Sequence, residues 1–218
     1  MTPRPVPASV RDIDAEWLSG VLSRYFGHDV DVIDLRAERI GTGQAGSTYR
    51  LIPTYTEDTD LPQTLVAKLP AENDELRTGF DLGYRSELSF YRKMAHHLKA
   101  LIPQCILVEI SSEATDFELL LNDLEPMVQG NQITGCSATE ARAAVEALAG
   151  LHGPTWCDQR WLELGDVAMP MPGDKDSAAM MGKVAAAATD IVLERIGSEL
   201  APEDHDTLRS AIPPSARG

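Results

Sequence analysis

The sequence predicts an α+β protein in which a small antiparallel β-sheet lobe with one long helix is followed by a hinge and a partial helical lobe. Short β-branched and aromatic segments separated by polar turns extend from residue 30 to residue 121, which is typical of antiparallel strands. A helical repeat of apolar residues covers 80–99 within this part of the chain. Beyond residue 137 the segments are rich in alanine and begin with a capping residue, which indicates helices.

The first predicted elements are a short helix and a strand. Asp14 is expected to cap the helix, and Gly27 is expected to end it after Phe26. Residues 30–40 then predict the first strand. One face of the helix should pack against the rest of the protein, because its apolar residues recur at helical spacing: Trp17, Leu18, Val21, Leu22 and Tyr25.

A glycine-rich segment follows, I-G-T-G-Q-A-G-S-T-Y, with glycines at Gly41, Gly43 and Gly46. This spacing occurs in two folds: a strand-to-helix turn that binds dinucleotides, and a β-hairpin that covers the phosphates of ATP. Residues 47–52 are β-branched and aromatic, and we expect Pro53 to interrupt them, so a strand follows the glycines and the hairpin is favoured. Three glycines in six positions indicate close approach of another group to the backbone, although a flexible hairpin tip is an alternative.

The next predicted strand, residues 63–69, carries Lys68, and residues 70–77 are expected to form a charged connection. The helix over 80–99 places one carboxylate on an otherwise apolar face, which consists of Phe80, Tyr84, Glu87, Tyr91, Met94 and Leu98. A buried carboxylate requires a cation, and Lys68 is the natural candidate. Two alternatives remain open: Glu87 lies at a solvated edge of the face, or Lys68 extends into solvent from an edge strand.

Two further strands are predicted at 105–110 and 117–121, and the second leads directly into Asn122, Asp123 and Leu124. A buried strand that ends in a short polar segment is typical of a hinge between lobes, whose backbone is able to bind a base edge; an ordinary strand exit stopped by Pro126 is the alternative. Later helices are expected at 137–154, where Ser137 and Glu140 form a capping box, at 176–200 with breaks at Gly182 and Gly197, and at 202–212.

Composition excludes several classes of function. The 218-residue chain has a net charge of −15, so neither nucleic acid nor an anionic membrane is an expected partner, because both attract basic patches. No apolar stretch approaches the ~18 residues of a membrane-spanning helix, and residues 1–10 do not form a signal peptide. The three cysteines lack metal-ligand spacing, which favours a reduced cytoplasmic setting and predicts no metal site of their own.

The order of these parts resembles the aminoglycoside phosphotransferase superfamily, especially the branch that contains choline kinases and ecdysteroid-kinase-like proteins. The similarity covers residues 30–160 best and rests on five segments: 41–46 (G-T-G-Q-A-G), 66–68 (V-A-K), 84–91 (Y-R-S-E-L-S-F-Y), 119–124 with its N-D-L hinge, and 147–153 (A-L-A-G-L-H-G). The resemblance implies a protein-kinase-like fold and MgATP-dependent phosphoryl transfer to a hydroxyl of a small molecule, whose identity the sequence does not indicate.

The resemblance also implies roles for particular residues. The phosphates would be covered by Gly41, Gly43 and Gly46, and Lys68 would contact the α- and β-phosphates while Glu87 orients it. The adenine would meet Asn122, Asp123 and Leu124. The lobes implied are residues 1–121 for the nucleotide-binding lobe, 122–136 for the hinge and linker, and 137–218 for a partial helical lobe.

The catalytic loop of the family is missing from this sequence. Its His-Gly-Asp and the asparagine four residues later, which hold the acceptor hydroxyl and magnesium, do not occur, and His152-Gly153 is followed by Pro154. We therefore expect ATP and Mg²⁺ as cofactors by resemblance, but no catalytic or metal-binding residue and negligible turnover from this chain. Three interpretations follow: a truncated kinase with exposed apolar surface on the helices of 174–212, a non-catalytic nucleotide- or protein-binding module, or an acidic interaction domain that binds no nucleotide.

Overall fold

The structure is a computed structural model that describes residues 6–41, 46–57, 60–111, 116–131, 133–163 and 174–211. It is an α+β protein with one five-stranded antiparallel sheet, and six α-helices lie in the described ranges. In chain order the elements are α1 (Ala15–Phe26), β1 (Val32–Ile40), β2 (Gly46–Tyr55), β3 (Leu65–Pro70), α2 (Asp74–Gly79), α3 (Asp81–Ser89), β4 (Cys105–Ile110), β5 (Phe117–Asn122), α4 (Ala138–Thr155), α5 (Lys175–Ile196) and α6 (Pro202–Ser210).

The sheet has the order β1-β2-β3-β5-β4, so β3 and β5 lie next to each other at its centre. One face packs against α1, whose Leu18 and Leu22 are fully buried, and the other face packs against α3. Side chains alternate between the two faces along each strand. On β3, Leu65, Ala67 and Leu69 belong to the core under α1, so the remaining side chains point towards α3.

The predicted caps of the first helix are confirmed. The side chain of Asp14 accepts a hydrogen bond from the backbone N–H of Trp17 at 2.7 Å, which satisfies one of the free donors at the start of α1. Gly27 ends the helix with φ of +76°, a left-handed conformation that glycine adopts without strain. The capping box at the start of α4 is also present, formed by Ser137 and Glu140.

One proline prediction is wrong. Pro53 does not interrupt its strand: it pairs with Leu35 of β1, while β3 reaches β2 only as far as Leu51, so the absent N–H removes no bond to a second neighbour. The end of α4 agrees with the prediction within one residue, at Thr155, and Pro154 lies in its last turn. The carbonyl of Gly150, which the missing N–H of Pro154 leaves free, accepts a hydrogen bond from the backbone N–H of Lys99 at 3.3 Å.

Helix boundaries differ from the prediction at three places. The expected charged connection over 70–77 contains α2, because Asn73 caps it through the N–H of Leu76 at 3.0 Å. The single long helix over 80–99 is divided into α3, a π-helical turn at Phe90–Met94 and a 3₁₀ turn at Ala95–His97. Finally, α5 runs through Gly182 without the expected break, whereas the break expected at Gly197 is confirmed: the helix ends at Ile196 and a 3₁₀ turn begins at Gly197.

The chain divides into two compact units, residues 1–168 and 169–218. The first contains the sheet and α1 to α4, and the second contains α5 and α6. On α5 the side chains of Met180, Met181 and Val184 are each more than half exposed, so the apolar surface expected for this part of the chain is present. None of the helices in the described ranges combines the length and the apolar character required to cross a membrane.

Glu118 is an unusual member of the core. It lies on β5 across from Glu109 of β4, its side chain is completely buried, and neither of its carboxylate oxygens has a hydrogen-bond partner among the described residues. Burial, and then the charge of Glu109, raise the pKa of Glu118 well above its usual value. The side chain is therefore held in the sheet as a neutral acid, since an unpaired buried carboxylate is costly.

Glu118 should make the fold less stable as the pH rises. An unfolded glutamate loses its proton near pH 4.3, whereas Glu118 in the folded protein keeps its proton to higher pH. The free energy of unfolding is therefore unaffected by this group below about pH 4.3, and it falls as the pH rises from there to the folded pKa. The free energy of unfolding should fall by up to about 1.4 kcal/mol per pH unit within this interval. Urea unfolding between pH 4 and 8 should show a flatter profile for Glu118→Gln, and an unchanged profile for the exposed control Glu146→Gln. Equal slopes in wild type and Glu118→Gln would contradict the assignment.

Candidate functional site

The strand register places Lys68 on the face of the sheet that packs against α3. Its neighbours across the strands are Thr48 on β2 and Leu119 on β5. The next row on the same face consists of Arg50, Val66 and Leu121, about 7 Å further along the strands, which is the distance of two residues. This face therefore presents Lys68 in one row and, in the next row, a second cation, Arg50, beside two apolar residues.

Lys68 and Glu87 form an ion pair, and this prediction from the sequence is confirmed. The ammonium Nζ of Lys68 on β3 contacts Oε1 of Glu87 on α3. The two side chains remain 33% and 36% exposed, so both are accessible from solvent. A pair of this exposure contributes only about 0.2–1 kcal/mol to stability, so it is not what holds α3 against the sheet.

Tyr84, one turn before Glu87, attaches α3 to the sheet. It is only 5% exposed, and its ring lies 4.7 Å from that of Phe117 at the start of β5. Its hydroxyl accepts a hydrogen bond from the backbone N–H of Ala71, just after β3, at 3.2 Å. Burial of a large side chain contributes about 1.5–3 kcal/mol, which exceeds the contribution of the exposed ion pair. The position of Glu87 therefore depends on Tyr84 more than on Lys68.

A cleft of about 330 Å³ opens beside the ion pair. Its wall is formed by the first residues of β2 (46–48), by Lys68, by α3 residues that include Tyr84 and Glu87, and by Phe117. The volume lies at the lower end of the range for small-molecule sites. The structure therefore brings Gly46, Lys68 and Glu87 together in one cavity, with an ammonium and aromatic rings on its surface.

The three predicted glycines have different outcomes. Gly41 follows β1 with φ of +74°, a conformation that favours glycine, and Gly43 lies outside the described residues. At Gly46 a Cβ atom would lie 2.8 Å from the carbonyl oxygen of Leu69 on β3. The group that approaches Gly46 closely is thus the neighbouring strand, so this glycine has a structural reason that is independent of any ligand.

Residues 122–124, predicted to meet a base, do not line this cleft. The N–H of Asn122 donates to the carbonyl of Gln104 at 2.9 Å, and the carbonyl of Leu124 accepts from the N–H of Met127 at 2.8 Å. Within the described part of the chain, the N–H of Leu124 has no protein acceptor. It is thus a backbone donor that this segment offers to a ligand.

Sequence reasoning missed the partner of Asp123. Arg50 on β2 donates from Nε to Oδ2 of Asp123 at 2.5 Å and lies 3.5 Å from Glu125. Burial of Asp123 opposes ionisation, but hydrogen bonds from Arg50 and from the N–H of Glu125 outweigh it and lower the pKa of Asp123. The contact ties the segment after β5 to β2. The alternation of side chains in the strand over 47–52 predicts that Arg50 lies on the same face as Thr48. Its contact with Asp123 depends in addition on the order of the strands in the sheet.

Two further titratable groups lie on this side of the sheet. Burial, and then the charge of Glu87, raise the pKa of Tyr91 to about 12. Burial also raises the pKa of the Cys105 thiol to about 11, so it is not a reactive thiolate. Both groups therefore stay protonated at neutral pH.

The described residues do not fit a protein-held Mg²⁺ ion. No group of three His, Cys, Asp or Glu side chains in the described ranges is arranged to hold a metal. The carboxylate in the cleft, Glu87, is already paired with Lys68. Magnesium therefore has no assigned ligand in this part of the chain.

The chain matches no protein-family model, and a comparison with curated proteins finds no significant match. The assignment of a function therefore depends on the residues and their geometry. The features that carry most weight are the Lys68–Glu87 pair, the cleft beside it, and the apolar row formed by Val66 and Leu121.

Gly46→Ala should destabilise the fold, because a methyl group at 46 overlaps the carbonyl of Leu69, which is backbone and unable to move away freely. We expect a loss of about 1–3 kcal/mol in the free energy of unfolding, as for overpacked sites. The control is Gly83→Ala, on the same cleft, where a Cβ atom meets nothing within 4 Å. In the helix α3 this change should stabilise by about 0.5–1 kcal/mol. Urea unfolding of both variants measures the difference, and equal effects would refute the packing argument.

Proposed function

We propose that this chain carries the nucleotide-binding lobe of an ATP-dependent phosphotransferase with a protein-kinase-like fold, similar to the aminoglycoside phosphotransferases, whose acceptor is a hydroxyl of a small molecule. The observation that carries the proposal is the Lys68–Glu87 ion pair in a cleft whose wall includes Gly46. An ATP-dependent function of this kind suits the cytoplasm, which is a reducing compartment that contains ATP. The three cysteines, none of them in a disulfide, agree with it.

The chemistry of the cleft suits a polyphosphate. The ammonium of Lys68 is about one-third exposed, so it is able to donate to phosphate oxygens while Glu87 limits its conformations. Gly41 follows β1 with φ of +74°, and the first residues of β2 pair with the end of β3, next to Lys68. A phosphate bound to Lys68 would lie beside the N-terminal end of β2, where the N–H groups of the turn residues point in related nucleotide sites.

The neighbouring part of the sheet suits a base. Val66 is partly exposed and lies two residues from Lys68, beside the buried Leu121. The N–H of Leu124, which has no acceptor within the described ranges, lies three residues beyond Leu121. Apolar surface with one well-placed polar group is typical of small-molecule sites. In this arrangement the adenine contacts Val66 and accepts a hydrogen bond from Leu124, while Asp123 stays paired with Arg50.

The proposal concerns nucleotide binding by this chain and not turnover. The His-Gly-Asp and the asparagine expected from the resemblance are missing, and the position after His152-Gly153 is Pro154 inside α4. Glu87 supplies the carboxylate that lines the cleft, but this carboxylate is paired with Lys68 and so is not available to accept the proton of an acceptor hydroxyl. These observations favour the second candidate function, a nucleotide-binding module without catalysis, for the 218-residue chain itself.

ATP should stabilise the chain through Lys68. At an ATP concentration one hundred times the Kd, the free energy of unfolding should rise by about 2.7 kcal/mol. Lys68→Ala should weaken ATP binding by about 10- to 100-fold, since a charge-assisted hydrogen bond is lost, with little change in stability without ATP because the ion pair is exposed. Isothermal titration with ATP measures the affinities, with the exposed Lys99→Ala as the matched control.

Two results of this titration would contradict the proposal. If wild type shows no ATP binding at millimolar concentrations, the chain is an acidic interaction domain and the proposed function fails. If Lys68→Ala and Lys99→Ala bind ATP equally well, the nucleotide lies elsewhere and the cleft is wrongly assigned. Both results are independent of any acceptor, so the test needs no knowledge of the substrate.

The purified chain should not transfer phosphate. With ATP, Mg²⁺ and a panel of small alcohols, including choline and aminoglycosides, we expect no ADP formation above the rate of ATP hydrolysis in buffer, because no described residue holds the metal or the acceptor hydroxyl. A coupled assay for ADP measures this. Wild-type activity that Lys68→Ala abolishes would show that the chain is catalytic and would overturn the binding-module assignment.

A further inference from the structure

Both backbone polar groups of Ala71 are held by side chains. Ala71 follows directly after β3 and is only 4% exposed. Its N–H donates to the hydroxyl of Tyr84 on α3 at 3.2 Å, and its carbonyl accepts from Nε of Arg77 on α2 at 3.0 Å. The end of the central strand is thus fixed from both sides, by two different helices.

These contacts form a closed ring. Arg77 also donates from Nη1 to Oδ1 of Asp116 at 2.6 Å, and Asp116 is followed directly by Phe117 on β5. The ring of Phe117 packs against that of Tyr84, with centroids 4.7 Å apart. We call Ala71, Arg77, Tyr84, Asp116 and Phe117 together the Ala71 clamp. It joins β3, α2, α3 and β5 through buried and partly buried contacts.

The Ala71 clamp lies close to the Lys68–Glu87 pair on both sides, at the end of β3 and on α3. Ala71 is three residues after Lys68 at the end of β3, and Tyr84 is three residues, or one helical turn, before Glu87 on α3. Two contacts between the same strand and the same helix determine the rotation of the helix as well as its distance. A single contact leaves the helix free to rotate about it.

We propose that the Ala71 clamp positions Glu87 on Lys68 and that Tyr84 is the positioning residue, acting through its hydrogen bond to Ala71. For nucleotide binding the inference rests on the proposed function, but for the ion pair it stands alone. The pair is exposed and open to screening by salt, so it does not fix its own geometry. Tyr84 is buried, and its hydroxyl accepts a hydrogen bond from Ala71 at the end of β3. Because Tyr84 and Glu87 lie on the same helix, this bond determines where Glu87 lies relative to Lys68.

Tyr84→Phe tests this with a minimal change, because it removes the hydroxyl and leaves the ring against Phe117. The matched control is Tyr55→Phe, which removes a hydroxyl that donates to the carbonyl of Pro62 at 2.7 Å, away from Lys68. Glu87→Gln is the reference for a broken pair. All variants are made in the full chain, and urea unfolding confirms that each is folded under the conditions used.

The readout is the hydrogen exchange of the Lys68 ammonium with water, measured by NMR on protein labelled with ¹⁵N-lysine. An ammonium held by a carboxylate exchanges its hydrogens more slowly than a free one. The chain has five lysines, so Lys68→Met assigns the signal. We expect Glu87→Gln and Tyr84→Phe each to accelerate exchange by about two- to fivefold, the factor that an exposed ion pair provides. Tyr55→Phe should leave the rate unchanged, and Tyr84→Phe should add nothing once Glu87 is glutamine.

Three results would overturn the proposal. These are an unchanged exchange rate in Tyr84→Phe, an equal change in Tyr55→Phe, and a full additional effect of Tyr84→Phe in the Glu87→Gln background. An ATP titration of the same variants separates this inference from the proposed function. Wild type that binds no ATP refutes the function while the exchange rates still decide the positioning. ATP bound equally well by wild type and Tyr84→Phe, with unchanged exchange rates, refutes the positioning alone.

Discussion

The burial of both faces of one antiparallel sheet is the constraint on which the site depends. Because α1 covers one face and α3 packs on the other, each residue of β3 has its environment determined by strand alternation. Ala67 and Leu69 belong under α1, so Lys68 between them must face α3. A shift of one residue would bury the ammonium in the core under α1. The location of the cation is therefore a consequence of core packing.

The residues that stabilise the site differ from the residues that are available to a ligand, and their energetic contributions show this. The Lys68–Glu87 pair is exposed and contributes little to stability, whereas Tyr84 is buried between α3 and β5. The groups available to a ligand are therefore weakly stabilised themselves and are held by buried neighbours. Glu118 shows the opposite case: its buried carboxyl group has no hydrogen-bond partner among the described residues, and burial raises its pKa, so it is unsuited to bind a cation.

Several backbone positions show why local patterns mispredict boundaries. Pro53 remains in a strand because its second side has no neighbour, and Pro154 remains in a helix because Lys99 satisfies the carbonyl of Gly150. Gly46 is required by the Leu69 carbonyl, which comes from another strand. In each case the deciding atom is distant in sequence, so the residue type alone gave the wrong boundary or an incomplete reason.

The sequence by itself determined the α+β class, the five strands and the caps of α1 and α4, because residue periodicity and capping are local properties. It placed Glu87 on an apolar helix face and named Lys68 as its candidate partner, and the structure shows this pair. Only the tertiary structure decided that Arg50 meets Asp123, that Tyr84 and Arg77 hold Ala71, and that residues 122–124 lie outside the cleft. These contacts depend on the sheet order β1-β2-β3-β5-β4. That order places β3 beside β5, which are distant in sequence, so no single stretch of the chain encodes it.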